Sequence, residues 1–157
     1  MKNKIKFLAC LLVISVIIIS GCTSGKNIAI EKASGGPVKL ANNYYRFDSQ
    51  EFQKAVQEKR AILLYFKANW CSTCAETVKI IHKVFNEMEG SDFIGFEIHY
   101  NDEESQEFDN QIIRDYQVAY QNTAIFLNNE GKESSRMLAN ILEDRIKSAI
   151  EKAKNSN

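Results

Sequence analysis

The segment Trp70-Cys71-Ser72-Thr73-Cys74 lies where a strand-like apolar run, Ala61 to Phe66, gives way to a helix-like run, Ala75 to Met88. Two thiols are thereby placed at the N-terminus of a helix. Unpaired backbone N–H groups and the helix dipole favour negative charge there, which lowers the pKa of the first thiol. The pattern predicts a dithiol redox site, with Cys71 as the nucleophile and Cys74 as the thiol that resolves a mixed disulfide on Cys71.

The residues around this segment resemble those of the thioredoxin superfamily. The run Ile62–Cys71 is similar to that family's strand, short turn, tryptophan and first cysteine, and the run Tyr116–Lys132 is similar to its loop, edge strand and hairpin. The similarity extends from roughly Phe47 to Lys154. A CxxC pair alone also serves zinc sites and structural disulfides, but after a strand and a tryptophan, at a helix start, it is specific. The resemblance implies an α/β, thioredoxin-like fold with a mixed central β-sheet and helices on both faces.

The resemblance also implies where substrate binds, and it exposes one departure. The implied substrate-binding residues, beside the catalytic pair, are Trp70, Asn122 and Thr123. Asn122 stands where the family has a cis-proline, and the only proline in the chain is Pro37. A cis bond before a residue other than proline costs about 2.5–4 kcal/mol, so we expect a trans bond before Asn122, or else a strained cis bond.

A second departure concerns proton transfer. Tyr65 stands where many thioredoxins have a buried aspartate that accepts the proton of the second cysteine. Proton transfer to and from Cys74 must therefore differ in this chain. Glu97, on the predicted strand Phe93–His99, is a candidate replacement if its side chain points beneath the dithiol, which the alternation along one strand does not establish.

The first residues predict export. Three lysines precede an uncharged apolar run, Phe7–Ile19, which has about the length of a signal-peptide core. The run ends in Ile19-Ser20-Gly21-Cys22, which resembles a bacterial lipobox. We expect residues 1–21 to be a lipoprotein signal peptide and Cys22 to carry the lipid that anchors the protein to the extracytoplasmic face of the cell membrane. The alternative is an uncleaved signal anchor with an incidental cysteine, which also places the domain outside the cytoplasm.

Cysteine usage limits the chemistry. Of four cysteines, Cys10 lies in the predicted signal peptide and Cys22 is the predicted lipidation site, so Cys71 and Cys74 remain for redox chemistry. In an oxidising compartment such a pair is either a stored oxidant or is kept reduced by a dedicated electron donor. The expected partners are thiols or disulfides of exported proteins and a membrane electron donor or acceptor. No cofactor and no metal are expected.

Composition indicates one small domain. Residues 22–43 are rich in Ser, Gly, Asn and Lys and are predicted to be a flexible linker, and residues 44–157 are predicted to form a single monomeric domain. The loss of three lysines with the signal peptide leaves 17 basic and 20 acidic residues, a net charge near −3. There is no basic patch of the kind that binds nucleic acid.

Hydrophobic periodicity predicts the order of helices and strands. The predicted elements are a helix from Asp48 or Ser49 to near Arg60, a strand at 61–66, a helix at 75–88, a strand at 93–100, a helix that begins at Asn101 or Asp102, hairpin strands at 123–128 and 132–138, and a terminal helix with Leu142, Ile146 and Ile150. Tyr44, Tyr45 and Phe47 are interpreted as a first edge strand or a cover over the core. This order indicates a mixed sheet with helices on both faces.

The favoured function is thiol–disulfide exchange. Within it a reductase is favoured, because Ala68–Cys71 and the acidic stretch before Gln111 resemble the periplasmic C-terminal domain of the membrane thiol:disulfide interchange proteins, which are reductants. One alternative is a copper- or iron-binding module, which the missing proline suggests and which would need a dimer to complete four ligands. Another is a non-catalytic thioredoxin-like adaptor, against which the retained WCxxC sequence argues.

Overall fold

A computed structural model describes residues 36–156 of the chain. The elements of this region are β1 Lys39–Ala41, β2 Tyr44–Arg46, α1 Ser49–Gln57, β3 Ala61–Lys67, α2 Ser72–Glu87, β4 Phe93–His99, α3 Glu107–Asp115, β5 Thr123–Leu127, β6 Glu133–Leu138 and α4 Glu143–Asn155. None of these helices is both long and apolar enough to cross a lipid bilayer. The predicted signal peptide 1–21 and the predicted lipidation site Cys22 lie outside the described residues.

The strands of the described region form one mixed sheet in the order β1-β2-β4-β3-β5-β6. The central strand β3 pairs in parallel with β4 and antiparallel with β5. Nearly every residue of β3 and β4 is buried, as in strands that helices cover on both faces. The dithiol follows β3 directly, so the middle of the sheet positions it.

Helices pack on both faces of the sheet, as the sequence predicts. On one face, α2 and α4 bury apolar side chains such as Ile81 and Ile146 against the strands. On the other face, α1 and α3 do the same with residues such as Ala55 and Ile112. The sheet therefore separates two apolar layers, and the first of them lies directly under the helix that carries the cysteines.

The alternation of side chains along β3 decides what lies beneath the dithiol. Ile62, Leu64 and Phe66 belong to the layer under α1 and α3. Leu63 and Tyr65 belong to the layer under α2 and α4. Tyr65 is the last of these before the active-site turn, so its hydroxyl reaches the first turn of α2.

Local capping fixes where the first two helices begin. The Asp48 carboxylate accepts hydrogen bonds from the N–H groups of Gln50 and Glu51, at 3.0 and 2.8 Å, so Asp48 is the N-cap of α1. Helix α2 begins at Ser72, three residues before the predicted start, because Cys71 itself is its N-cap. Both cysteines are thus part of the helix start.

The prediction that a helix begins at Asn101 or Asp102 is wrong, because α3 begins at Glu107. The Asp102 carboxylate accepts the N–H of Glu104 at 3.0 Å and contacts the Ser105 hydroxyl, which closes a turn. An aspartate can cap a tight turn as well as a helix, and the same local sequence serves both. Contacts of Asp102 with residues elsewhere in the fold stabilise the turn in place of a helix start.

The folded region also begins earlier than the sequence predicts. Strand β1 lies inside the predicted linker, residues 22–43, and it pairs antiparallel with β2. The edge strand is therefore β1, whereas Tyr44 in β2 is fully buried. A strand of three residues is too short to show alternation, so only its pairing identifies it.

A buried ion pair joins β2 to the start of α3. The Arg46 guanidinium donates to both carboxylate oxygens of Asp109, at 2.9 and 2.6 Å. The Asp109 side chain is fully buried and that of Arg46 is 19% exposed. Arg46 also donates to the backbone carbonyl of Glu97 at 2.9 Å. This pair therefore holds α3 against the sheet on the side where the loop after β4 returns.

Candidate active site

Cys71 and Cys74 are joined by a disulfide at the start of α2. The Cys71 sulfur accepts a hydrogen bond from the N–H of Cys74 at 3.1 Å. Cys71 is 7% exposed and Cys74 only 1%, so an incoming thiol reaches Cys71 first. The first turn of α2 contains no acidic residue, so no carboxylate there offsets the positive end of the helix dipole.

Trp70, which directly precedes Cys71, presents an exposed apolar side chain. Its side chain is 59% exposed, and its indole N–H donates to the backbone carbonyl of Asn101 at 3.3 Å. The neighbouring Asn69 donates from its backbone N–H to Asp102 and from its side chain to Glu104, both at 2.9 Å. The loop after β4 therefore braces the segment that leads into the dithiol.

The brace depends on a buried His99–Asp102 contact. The Nδ1 atom of His99 lies 3.0 Å from both carboxylate oxygens of Asp102. Burial acts to raise the pKa of Asp102, but the N–H of Asn69 and the His99 ring outweigh it and hold this pKa below its usual range. The carboxylate thus stays ionised and keeps its hydrogen bonds. Sequence reasoning missed this contact, because it places the start of a helix at Asn101 or Asp102.

Tyr65 lies beneath the dithiol as a hydrogen-bond donor. Its hydroxyl donates to the side-chain oxygen of Asn122 at 3.0 Å and lies 3.4 Å from the backbone oxygen of Cys74. Burial, and to a smaller extent the Glu97 carboxylate, raises the pKa of Tyr65 well above its usual range. Tyr65 therefore keeps its proton and does not act as the acceptor for the proton of Cys74.

Asn122 faces the turn that carries the cysteines. The peptide bonds of residues 36–156 are all trans, including the one before Asn122, and Asn122 has φ 55°, a left-handed conformation that asparagine tolerates. Its side-chain NH₂ donates to the Thr73 hydroxyl oxygen at 3.4 Å, and that oxygen lies 3.4 Å from the Cys71 sulfur. Thr73 was missed by sequence reasoning, and the one available clue was its place between the cysteines.

The side chain of Thr123 forms its hydrogen bond within its own loop. Its hydroxyl donates to the backbone carbonyl of Tyr120 at 2.8 Å, and the residue is 1% exposed. The segments on either side of Asn122 instead expose two apolar side chains, Tyr120 and Leu138. Leu138 pairs with Thr123 across β5 and β6. The structure thus brings Trp70 and Asn122 to the dithiol, whereas the Thr123 side chain makes its contact elsewhere.

The family of the chain follows from its sequence and this site together. The sequence model of the thioredoxin family matches residues 43–152. The chain belongs to the thioredoxin family. With its CxxC pair at the start of α2, it is a thioredoxin-like thiol–disulfide oxidoreductase. The predicted thioredoxin-like fold is confirmed, and no curated protein sequence matches the chain significantly.

Solved structures of other thioredoxin-like proteins share this fold. Thioredoxin O2 from Arabidopsis thaliana in the oxidised state is 20% identical, with coverage of 74% of this chain and 100% of that chain, and a TM-score of 0.55. DsbH oxidoreductase is 20% identical, with coverage of 76% of this chain and 96% of that chain, and a TM-score of 0.57. The pneumococcal exposed lipoprotein thioredoxin from Streptococcus pneumoniae is 18% identical, with 61% and 88% covered and a TM-score of 0.52. At these identities the likeness shows the fold.

In this thioredoxin-family protein the buried carboxyl group of Glu97 lies next to Tyr65 in the sheet. Glu97 is the neighbour of Tyr65 in the β3–β4 register and is 5% exposed. One of its carboxylate oxygens lies 3.4 Å from the Lys67 ammonium, and the other has no hydrogen-bond partner among residues 36–156. Glu97 thus lies in the layer under α2, and its assignment as the proton acceptor for Cys74 stays a prediction.

Metal binding at the dithiol finds no support among the side chains of the described region. Within residues 36–156, no three His, Cys, Asp or Glu side chains form a group that could hold a metal ion. The His99 ring is engaged by Asp102, and the His82 ring packs edge-on against Tyr44 with ring centres 5.4 Å apart. A metal at the two cysteine sulfurs would therefore find no third His, Cys, Asp or Glu ligand in this part of the chain.

Proposed function

We propose that this protein is a membrane-anchored, extracytoplasmic thiol–disulfide oxidoreductase that reduces disulfides in exported proteins. The observation that carries the proposal is the Cys71–Cys74 disulfide at the unopposed positive end of α2, beside the exposed Trp70 ring. The greater exposure of Cys71 supports its role as the attacking thiol. Trp70, next to Cys71 in the chain, and Asn122, which contacts Thr73 between the cysteines, are the proposed substrate contacts, together with the backbone at Thr123.

The reaction proceeds through one mixed disulfide. The Cys71 thiolate attacks one sulfur of a substrate disulfide, which forms a bond between protein and substrate and releases the other substrate sulfur as a thiolate. The Cys74 thiol then loses its proton and attacks the Cys71 sulfur, which releases the second substrate thiol and forms the Cys71–Cys74 disulfide. Two electrons pass to the substrate. A dithiol electron donor at the membrane must then reduce the Cys71–Cys74 disulfide with two further electrons and become a disulfide itself.

The proposed location is supported by the sequence before the described region. The apolar run with the lipobox-like end at Cys22 resembles the signal peptide of an exported lipoprotein. The exposed lipoprotein thioredoxin from Streptococcus pneumoniae has the same fold, so the fold occurs in such proteins. Two or three acyl chains on one cysteine anchor a domain stably, whereas one chain binds only marginally.

Lipidation is tested at Cys22. Cells that express Cys22→Ala should incorporate no labelled palmitate into the protein, because alanine offers no thiol to acylate. The Cys10→Ala variant is the matched control, since it changes a cysteine inside the predicted signal peptide and should keep full labelling. Label retained in Cys22→Ala, or absent from the unsubstituted protein, would exclude the lipoprotein assignment and favour the signal anchor.

The direction of transfer is tested by the reduction potential of the Cys71–Cys74 couple. The purified full chain in detergent is equilibrated with dithiol and glutathione buffers, and the oxidised fraction is measured. We expect a value around −270 mV, the thioredoxin end of the range, because a reductase must hold its electrons less tightly than its substrates do. A value nearer −120 mV would mark an oxidant and contradict the proposed direction.

A further inference from the structure

Three hydrogen bonds run in one direction from the core to the Cys71 sulfur. The Tyr65 hydroxyl donates to the Asn122 side-chain oxygen at 3.0 Å, and the Asn122 NH₂ donates to the Thr73 oxygen at 3.4 Å. The Thr73 oxygen lies 3.4 Å from the Cys71 sulfur. In the disulfide this sulfur carries no proton, so the Thr73 hydroxyl must be the donor. Every link thus directs a donor towards Cys71.

We propose that Asn122 is a positioning residue that holds the Thr73 hydroxyl as a hydrogen-bond donor to the Cys71 sulfur. The inference rests on the thiol chemistry of Cys71 but not on the direction of transfer or on the location of the protein. A thiolate accepts hydrogen bonds more strongly than a thiol does, so a fixed donor favours the thiolate. The Cys74 N–H, 3.1 Å from the same sulfur, is the other donor there.

The Tyr65 end of this series of hydrogen bonds favours the proposed orientation of the Asn122 amide. Tyr65 retains its proton because burial raises its pKa, so its hydroxyl is available as a donor to the buried Asn122. An amide that accepts through its oxygen from Tyr65 must present its NH₂ to Thr73. The Thr73 oxygen then accepts, and its own proton is left for Cys71. Hydrogen bonds in such a series polarise one another.

The reverse orientation of the Asn122 amide would have the opposite effect on the Cys71 thiolate. With oxygen and nitrogen exchanged, the Thr73 hydroxyl would donate to Asn122 and would be drawn away from Cys71. In that orientation, removal of the Asn122 side chain would lower the pKa of Cys71. In the proposed orientation, the same removal raises it. The sign of the effect therefore decides between the two orientations.

The test is the apparent pKa of the Cys71 thiol in the reduced full chain, measured from the pH dependence of its alkylation by iodoacetamide. Thr73→Val removes the hydroxyl and keeps the shape. We expect this pKa to rise by about half a unit to one unit, because the thiolate loses a hydrogen-bond donor. The rise is no larger because Thr73 is open to water, which can donate in its place. Thr73→Ser retains the hydroxyl and should restore the original value.

The role of Asn122 is tested with Asn122→Gly. Glycine adopts the positive φ of this position without strain, so the backbone should be kept. We expect the pKa of Cys71 to rise by less than in Thr73→Val, because the 3.4 Å link from Asn122 is long. In the double variant the rise should equal that of Thr73→Val alone, since Asn122 acts through Thr73.

Three results would overturn the proposal. They are a lower pKa of Cys71 in Asn122→Gly, an unchanged pKa in Thr73→Val, and additive effects in the double variant. Ser72→Ala is the matched control, because Ser72 also lies between the cysteines but its side chain makes no hydrogen bond within residues 36–156. This variant should leave the pKa unchanged. The readout needs no substrate, so a failed exchange assay would not affect it.

Discussion

Replacement of Cys71 by serine should abolish disulfide exchange, with a loss of at least about a thousandfold in rate. A serine hydroxyl does not ionise at neutral pH and forms no disulfide, so the first covalent step is lost. The fold should be kept, because Cys71 is the N-cap of α2 and serine is a preferred residue at that position. The measurement is the rate of reduction of a fluorescent glutathione disulfide by the full chain with dithiothreitol as donor.

The matched variant is Cys74→Ser, which removes the resolving thiol and retains the nucleophile. We expect this variant to accumulate a mixed disulfide with substrate, visible as an adduct in the intact mass that reductant removes. Cys71→Ser should form no such adduct. A fully active Cys71→Ser protein, or adducts formed on Cys74 instead, would show that the roles of the two cysteines are assigned wrongly.

Asp109→Ala should produce the largest loss of stability, about 3–5 kcal/mol in the free energy of unfolding. The substitution leaves the Arg46 guanidinium largely buried without its bidentate partner. It also removes the acceptor of the Gln106 N–H, which the Asp109 carboxylate binds at 2.8 Å at the start of α3. The measurement is equilibrium unfolding in urea, followed by circular dichroism.

Glu107→Ala is the control for this substitution. Glu107 lies in the same turn of α3 and forms an ion pair with Arg114 at 3.0 Å, but the side chains are 82% and 57% exposed. Exposed pairs contribute little, so we expect a loss below about 1 kcal/mol. Equal losses in the two variants would mean that burial of the Arg46–Asp109 pair does not decide its contribution.

The sequence predicts the central part of the fold well because that part depends on local patterns. The buried runs of β3 and β4 are continuous, and the CxxC pair lies at a helix start. The parts that differ depend on distant partners. The Asp102 turn is decided by Asn69 and His99, and β1 is defined only by its pairing with β2.

The candidate site divides in the same way. The reactive cysteines and Trp70 are recognisable from adjacent residues. The hydrogen bond between Tyr65 and Asn122 is not, because it joins residues 57 positions apart, and the sequence shows only that each differs from the family residue. That the two replacements contact each other is visible only once β3 and β5 are paired.

Because of this contact, the residues that fit at positions 65 and 122 depend on each other. Proline in place of Asn122 cannot adopt the observed φ of 55° and would leave the buried Tyr65 hydroxyl without its 3.0 Å acceptor. Aspartate in place of Tyr65, the residue type common in the family, has no hydroxyl that donates to the Asn122 oxygen, so the amide would have to turn its NH₂ towards the carboxylate and its oxygen towards Thr73. Each position therefore restricts the substitutions that the other tolerates without a change in the hydrogen bonds around Thr73.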